Sequence, residues 1–333
     1  VVVDVERVGV CGTDVEFFTG EMTYLREGHS AYPMRLGHEW AGTVSAVGDG
    51  VDRSWLGRRV MGDTMLGDRT CRACRRGSQH VCARRQEVGI RGGRPGALAE
   101  QVAVPESVLT PVPDDMDPVD AAALFVTYQT GYLALHRRAQ IKSGEVLLVH
   151  AGAGGVGSAA IQLGKAAGAR VIATAGGPEK VTVCRELGAD RAIDYLTEDF
   201  VQVVREETDG RGADVIYDPV GGEIFDRSRR CIAWEGRLIV IGFTGGRIAA
   251  APTNHVLLKN YSVVGLYAGE YTKMNPTVWN EGLAALLRLY ESGAIRPLVR
   301  DRVPFLEVPA GLARLAQRQT VGKVVVEVRS PGG

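Results

Sequence analysis

The chain has 333 residues, 45% hydrophobic and 23% charged, which is ordinary for a globular protein long enough for two domains. Its 39 basic and 39 acidic residues cancel, which removes any electrostatic case for nucleic acid or an anionic membrane surface and leaves a small, neutral or mildly polar molecule as the expected partner. No apolar run approaches the roughly 20 residues that span a bilayer, and no basic-then-apolar leader opens the chain, so a cytoplasmic location is expected.

VVVDVERVGV begins at Val1 as a strand already in progress, which implies that further sequence precedes it. Up to about residue 120, glycine and short Val-rich stretches such as GTVSAVG and LAEQVAVP predict a compact β-rich domain. A proline cluster at 111, 113 and 118 precedes AAALFVTYQTGYLALHRRA, whose helical spacing marks the passage to a second domain. Strands and helices then alternate. VLLVH, RVIATA (170–175), RAIDY (191–195), ADVIYD (213–218), RLIVIG (237–242) and SVVGL (262–266) are the strands, with PEKVTVCRELG and EDFVQVVREET among the intervening helices. This alternation predicts a doubly wound parallel sheet in an α/β protein. One more amphipathic helix follows, with Leu283, Leu286, Leu287 and Tyr290 along one face, and then a last strand, VGKVVVEV. The expected domains are 1–125 with a cysteine lobe at 66–84, then 126–267, then 268–333 returning to the first domain.

EVLLVHAGAGGVG, from Glu145 to Gly157, reads as a strand feeding a nucleotide-binding helix. Gly152 is expected to permit the tight turn, Gly154 to let backbone approach a pyrophosphate, and Gly157 to let the helix pack closely. The amides of Gly155, Val156 and Gly157 would face the phosphates. Where NAD-binding folds place an acidic residue after the second strand, this chain has Gly176-Gly177-Pro178 with Lys180 nearby, which favours NADP(H). Six cysteines occur; Cys71-x2-Cys74-x7-Cys82 has metal-knuckle spacing, while Cys184 and Cys231 read as small core residues.

With CGTD at 11–14, GHEWAG at 37–42, the cysteine lobe at 71–82 and AGAGGVG at 151–157, the chain resembles the medium-chain dehydrogenase/reductase superfamily nearly end to end. The resemblance implies a β-rich GroES-like catalytic domain plus a Rossmann domain, a homodimer or homotetramer pairing through SVVGL, and a substrate held between the domains. It also implies hydride transfer between a nicotinamide and a small carbonyl, alcohol, enone or quinone. By similarity, Thr130, Gly242 and Phe243 contact the nicotinamide, and Tyr195 lies beside the 2′-phosphate. Cys71, Cys74 and Cys82 match three ligands of a structural zinc lobe whose first cysteine is replaced by Asp68, with His80 as the alternative fourth donor. Cys11 and His38 match two catalytic zinc ligands, Thr13 the hydroxyl that relays the substrate proton, and Glu39 the adjacent acid. Val126 stands at the usual third-ligand position and cannot ligate. Two readings therefore stay open. Cys11, His38 and Glu39 hold zinc in an NADP-dependent alcohol or carbonyl enzyme, or Thr13 and Tyr128 polarise the substrate of a zinc-independent enoyl or quinone reductase. A non-redox biosynthetic enzyme on the same scaffold is a further alternative. Phe17, Trp40, Tyr128, Tyr267 and Tyr271 are candidates to line an apolar pocket.

Overall fold

The computed structural model describes residues 1–76 and 82–329. It divides into two compact units: Val1–Val126 with Gly269–Asn280 and Pro297–Gly333, and Thr127–Ala268 with Glu281–Arg296. In the first unit β1 (Val2–Val10) leads into α1 (Gly12–Thr19) and the single turn α2 (Thr23–Arg26). Then come β2 (Glu39–Ala46), β3 (Arg59–Gly62), β4 (Met65–Leu66), α3 (Arg72–Arg75), β5 (Gln86–Glu87), β6 (Gln101–Ala103) and β7 (Leu109–Pro111). Alternating valines, shifted by one residue at an irregularity between Val5 and Arg7, give β1 an inward face. Val3, Val5 and Val8 join Trp40, Val44, Val60 and Val326 in one buried core. The indole of Trp40 fills the space beside Gly62, where any Cβ would strike the ring.

α4 (Pro118–Tyr132) carries the chain past Val126 and continues as a π-helix, Leu133–Arg138. β8 (Val146–Val149), α5 (Gly155–Ala166), β9 (Arg170–Ala175), α6 (Pro178–Glu186), β10 (Arg191–Asp194) and α7 (Phe200–Glu206) follow. β11 (Ala213–Asp218), α8 (Gly222–Ser228), β12 (Ile232–Val240), α9 (Thr253–Lys259) and β13 (Ser262–Gly265) complete the alternation. All six strands are parallel, in the order β10-β9-β8-β11-β12-β13. The order reverses between β8 and β11, and parallel sheets of this kind bind ligands at the carboxyl ends of the strands beside that switch. All four residues of β8 are buried, as a strand covered on both faces requires. Cys184 and Cys231 are core residues, and burial pushes their thiols up to about 12.

VLLVH loses its last residue from the strand because His150 takes a different part. Its ring is buried, edge-on to Phe200 at 4.9 Å between centroids. The Ser228 hydroxyl donates to the Ile224 carbonyl, so it accepts from Nε2–H of His150 at 2.8 Å, and Nδ1 at 3.0 Å accepts from the Thr174 hydroxyl. Burial depresses this imidazole to about 4, and it stays neutral in the folded chain. The unfolded chain takes up a proton near pH 6.5 that the folded one refuses. Stability is therefore full above about pH 6.5 and falls by on the order of 3 kcal/mol as pH drops toward about 4. Urea unfolding at pH 7.5 and pH 5 checks this; His150→Gln should flatten that portion of the profile.

After β13 come α10 (Tyr271–Met274), α11 (Pro276–Glu291), β14 (Asp301–Pro304), α12 (Val308–Ala316) and β15 (Val324–Glu327). β15 pairs antiparallel with β1, closing the first unit's sheet in the order β14-β15-β1-β2-β3-β7 with β6 also on β1. The expected return of 268–333 as one piece is corrected: Glu281–Arg296 belong to the second unit. The reason is packing. Gly282 lies so close to Gln129 and Tyr132 of α4 that an added Cβ would sit 2.9 Å and 3.0 Å from their side chains, and Leu286 and Tyr290 are buried on the same helix. Among the described residues, no helix is long and apolar enough to cross a membrane.

Candidate active site

The glycine turn after β8 is built around backbone clearance. Its left-handed residue is Ala151, at φ 52°, rather than Gly152. Gly152 is needed for space: an added Cβ would lie 2.8 Å from the Cys184 sulfur and 3.0 Å from the Ala173 Cβ. At Gly157 a Cβ would collide with the Ala151 carbonyl oxygen, so only glycine lets the first turn of α5 pass this close to the turn. Gly154 is the N-cap of α5 and no side chain caps the helix. The amides of Gly155, Val156 and Gly157 are thus left without an intrahelical acceptor at the positive end of a 12-residue helix, the local chemistry that suits a diphosphate. Gly157→Ala is expected to lower the melting temperature by several degrees, because the clash is with backbone and the turn itself must move. Thermal unfolding followed by circular dichroism checks it.

At the end of β9, Gly177 caps α6 at φ 86° and Pro178 occupies the first helical position. The Tyr195 hydroxyl lies over Gly176, where an added Cβ would be 2.6 Å away. Asp194, unremarked in the sequence, accepts from the Gly177 amide at 2.9 Å and the Leu196 amide at 3.1 Å through one oxygen. It shapes this turn while Lys180 lies one helical turn on, in α6. Asp218 does the same at the end of β11, taking the Val220 and Gly221 amides at 2.8 and 2.9 Å. Gly131 of α4, next in sequence to Thr130, lies against Leu163 of α5; Gly242 and Phe243 follow β12 closely.

In the first unit, Cys11 caps α1 and Asp14 reaches back to it, accepting the Cys11 amide at 2.9 Å. The other oxygen of this buried carboxylate lies 3.3 Å from the Gly37 amide and 3.3 Å from Nδ1 of His38. Asp14 thereby ties the start of α1 to the entry of β2 and fixes the imidazole, whose Nε2 lies 3.9 Å from Glu39 Oε1. Cys11, His38 and Glu39 each place a donor atom within 4.8 Å of the others. The Thr13 hydroxyl is 3.9 Å from the Cys11 sulfur. Burial alone would lower the His38 pKa, but Asp14 and Cys11 outweigh it and hold the ring well above the usual value.

Glu39 has a second partner that spacing could not indicate. Lys323 Nζ lies 2.6 Å from its Oε1 and 2.5 Å from its Oε2, and both side chains are buried. Burial pulls the ammonium pKa down, yet the Glu39 and Cys11 charges raise it overall. The two meet across Gly9 of β1, which pairs with Glu39 on one side and Val325 on the other; a Cβ on Gly9 would sit 3.0 Å from Glu39 Oε2 and 3.0 Å from Lys323 Cε.

Residues 1–114 match the alcohol dehydrogenase GroES-like domain family, and residues 155–287 match the zinc-binding dehydrogenase family. The quinone oxidoreductase-like protein 2 homolog of Nematostella vectensis is 33% identical over 89% of this chain and 74% of its own. The chain belongs to the medium-chain dehydrogenase/reductase superfamily. L-threonine 3-dehydrogenase of an Anaeromyxobacter species is 31% identical over 97% of this chain and 90% of its own. A solved NAD-dependent alcohol dehydrogenase superposes with a TM-score of 0.84 at 31% identity, covering 99% of this chain and 92% of that one. This medium-chain dehydrogenase/reductase is therefore an oxidoreductase, similar to both quinone oxidoreductases and alcohol dehydrogenases.

The superfamily's cysteine lobe is also assembled here: Asp68, Cys71, Cys74 and Cys82 each place a donor atom within 4.8 Å of the others, and His80 lies outside the described residues. Three thiols and a carboxylate are a chemically sound tetrahedral set for zinc. Backbone amides already support two of the sulfurs, Asp68 N to Cys82 Sγ at 3.4 Å and Cys74 N to Cys71 Sγ at 3.4 Å. Asp68 itself accepts the Thr70 and Cys71 amides at 2.9 Å each and Arg84 Nε at 2.7 Å, contacts that hold its carboxyl far below the usual range.

Three expectations for this dehydrogenase/reductase need correction. Tyr128 is buried, and its hydroxyl donates to the Arg296 carbonyl at 2.9 Å while accepting from Gln162 Nε2 at 2.7 Å, so this donor is already engaged within the second unit. Phe17 and Trp40 are 0% and 1% exposed, so they pack in the interior of the first unit. The motif reading passed over Asp14 and Lys323. Asp14 stands three residues after a helix cap, a pattern that reports a capping box; Lys323 carried no local signal at all.

Proposed function

We propose that this chain is an NADP(H)-dependent oxidoreductase acting on a small carbonyl or alcohol, with zinc held by Cys11, His38 and Glu39. The observation that carries the reading is the buried Asp14–His38 contact, which orients the imidazole so that Nε2 is turned toward Glu39 in a cluster that also contains Cys11. Thiolate, imidazole and carboxylate are the donor types zinc takes. Bound there, zinc would supply Lewis acidity toward the substrate oxygen. NADP(H) would supply the hydride chemistry. The chain's own residues do the rest. Gly155, Val156 and Gly157 bind the diphosphate with their amides, and the Gly176-Gly177-Pro178 turn leaves no carboxylate on its own side chains to repel a 2′-phosphate, with Lys180 and Tyr195 on hand for it. Thr13, at the second position of α1, passes the proton to or from the substrate oxygen. Lys323 neutralises Glu39, so the pair adds no net charge to the site.

A metal-free enoyl or quinone reductase is the second reading, and one observation favours it. Both Glu39 oxygens are held by Lys323, which leaves Cys11 and His38 as the uncommitted donors, and Val126 offers none. Thr13 would then be the polarising donor, since Tyr128 is engaged elsewhere. Assembly as a homodimer or homotetramer belongs to either reading, with β13 as one of the two edge strands of the parallel sheet.

Absorbance loss of NADPH and NADH with aldehydes, ketones, enones and quinones tests both. NADPH should be preferred at least about tenfold, and carbonyl turnover should vanish on chelation and return with zinc. Equal use of NADH would refute the adenosine-end assignment. Quinone turnover indifferent to chelators would establish the second reading.

A further inference from the structure

Most arginines of known partnership in this chain meet a carboxylate, as Arg170 does with Glu207, Arg191 with Glu198, Arg227 with Asp199, Arg237 with Glu145 and Arg329 with Asp4. Arg35, Arg91 and Arg94 differ. They line one pocket of the first unit, about 140 Å³ in volume, together with Ser30, Pro33 and Pro95. Among the described residues none of the three has a carboxylate in ion-pair range; Arg94 donates to the Ala103 carbonyl and Arg91 lies over the Tyr24 ring at 5.4 Å. The Glu87 carboxylate pairs with Arg85 at 3.2 Å.

The pocket is framed by backbone rather than by chance proximity. Two segments far apart in sequence are pinned together by Ser30 Oγ donating to the Ile90 carbonyl at 2.5 Å, Gly92 N to the His29 carbonyl at 3.1 Å and Gly96 N to the Arg35 carbonyl at 2.9 Å. A further bond, Gly89 N to the Arg94 carbonyl at 3.0 Å, shapes the second segment. Neutral partners orient two of the three guanidinium groups and compensate neither charge.

We propose that this pocket is a binding site for a single oxyanion of the phosphate or carboxylate type, carried free or on one end of a larger ligand. Planar guanidinium forks match such oxygens bidentately, and here the ordering of two of them is met before any ligand arrives. The volume is below the roughly 300 Å³ at which drug-sized ligand pockets begin, and holds roughly four or five waters' share of liquid, so it fits an anionic group and not a whole nucleotide.

Isothermal titration of the full chain with sodium phosphate, and separately with sodium succinate, at ionic strength matched with chloride, tests this site. At least one anion should bind with a Kd of about 1 mM or tighter. In Arg35→Gln/Arg91→Gln that affinity should fall at least about tenfold while the melting temperature in chloride stays within a few degrees, because neither side chain donates a hydrogen bond to the protein among the described residues. Arg91→Lys, which keeps the charge and loses the fork, should fall between. Phosphate alone binding assigns a phosphorylated ligand, succinate alone a carboxylate one, and both the shared chemistry. No heat with either anion, or equal affinity in the double variant, overturns the proposal; the latter would place the anion at the glycine turn of the second unit.

Discussion

With metal removed by a chelator, Lys323→Met should lower the stability of the chain by about 3–5 kcal/mol. Glu39 is 0% exposed, and the ammonium held against both its oxygens is its counter-charge. Methionine fills similar volume but leaves a carboxylate buried without compensation, which costs more than the pair itself contributes. The double variant Lys323→Met/Glu39→Gln separates these contributions. With both charges gone, about 2 kcal/mol or more of the loss should return, since a neutral pair in a buried setting is close to isoenergetic with the ionic one. Urea unfolding at constant pH measures all three proteins. A loss below about 1 kcal/mol in the single variant would mean that water reaches Glu39 and that the pair does not organise the site.

Metal content and turnover together should yield the second large effect. Two zinc ions per chain are expected in the purified protein, one at Cys11, His38 and Glu39 and one at Asp68, Cys71, Cys74 and Cys82, the two described clusters with suitable donors. Cys11→Ser should bring the content to one and reduce carbonyl turnover by about 10³-fold, the size of a Lewis-acid contribution of several kcal/mol. Thermal stability should hardly change, because the Cys11 amide still anchors Asp14 and a serine oxygen can take over the side-chain half of the capping box. Cys71→Ser should do the reverse, lowering stability with the loss of its metal and leaving the turnover of the remaining folded protein intact. If the purified protein holds one zinc and Cys11→Ser keeps both that zinc and full activity, the first unit acts without a metal and the reductase reading stands.

The parallel sheet was legible because its code is local. Each strand is a short apolar run between turn residues, and β9 and β11 occupy the expected spans residue for residue. Strand ends were less so. β12 begins at Ile232, before the expected 237, because pairing of Ala213 with Ile232 across a register shift recruits residues that are not an obvious apolar run. Within the glycine turn the fold adds a requirement that spacing does not carry: Gly152 is needed for clearance from Cys184, a residue one strand and one helix away, while the left-handed residue is Ala151.

By itself, then, the amino-acid order determined the superfamily, the α/β alternation, the glycine turn after β8 and the two sets of metal-type side chains, since each of these is carried by short spacings or local backbone geometry. Tertiary structure alone decided that Lys323 neutralises Glu39 across Gly9, that Tyr128 is occupied by Arg296 and Gln162, and that Glu281–Arg296 join the second unit. Those facts depend on which strands become neighbours and which helix faces meet. A lysine 284 residues from its carboxylate leaves no trace in any pattern shorter than the fold itself.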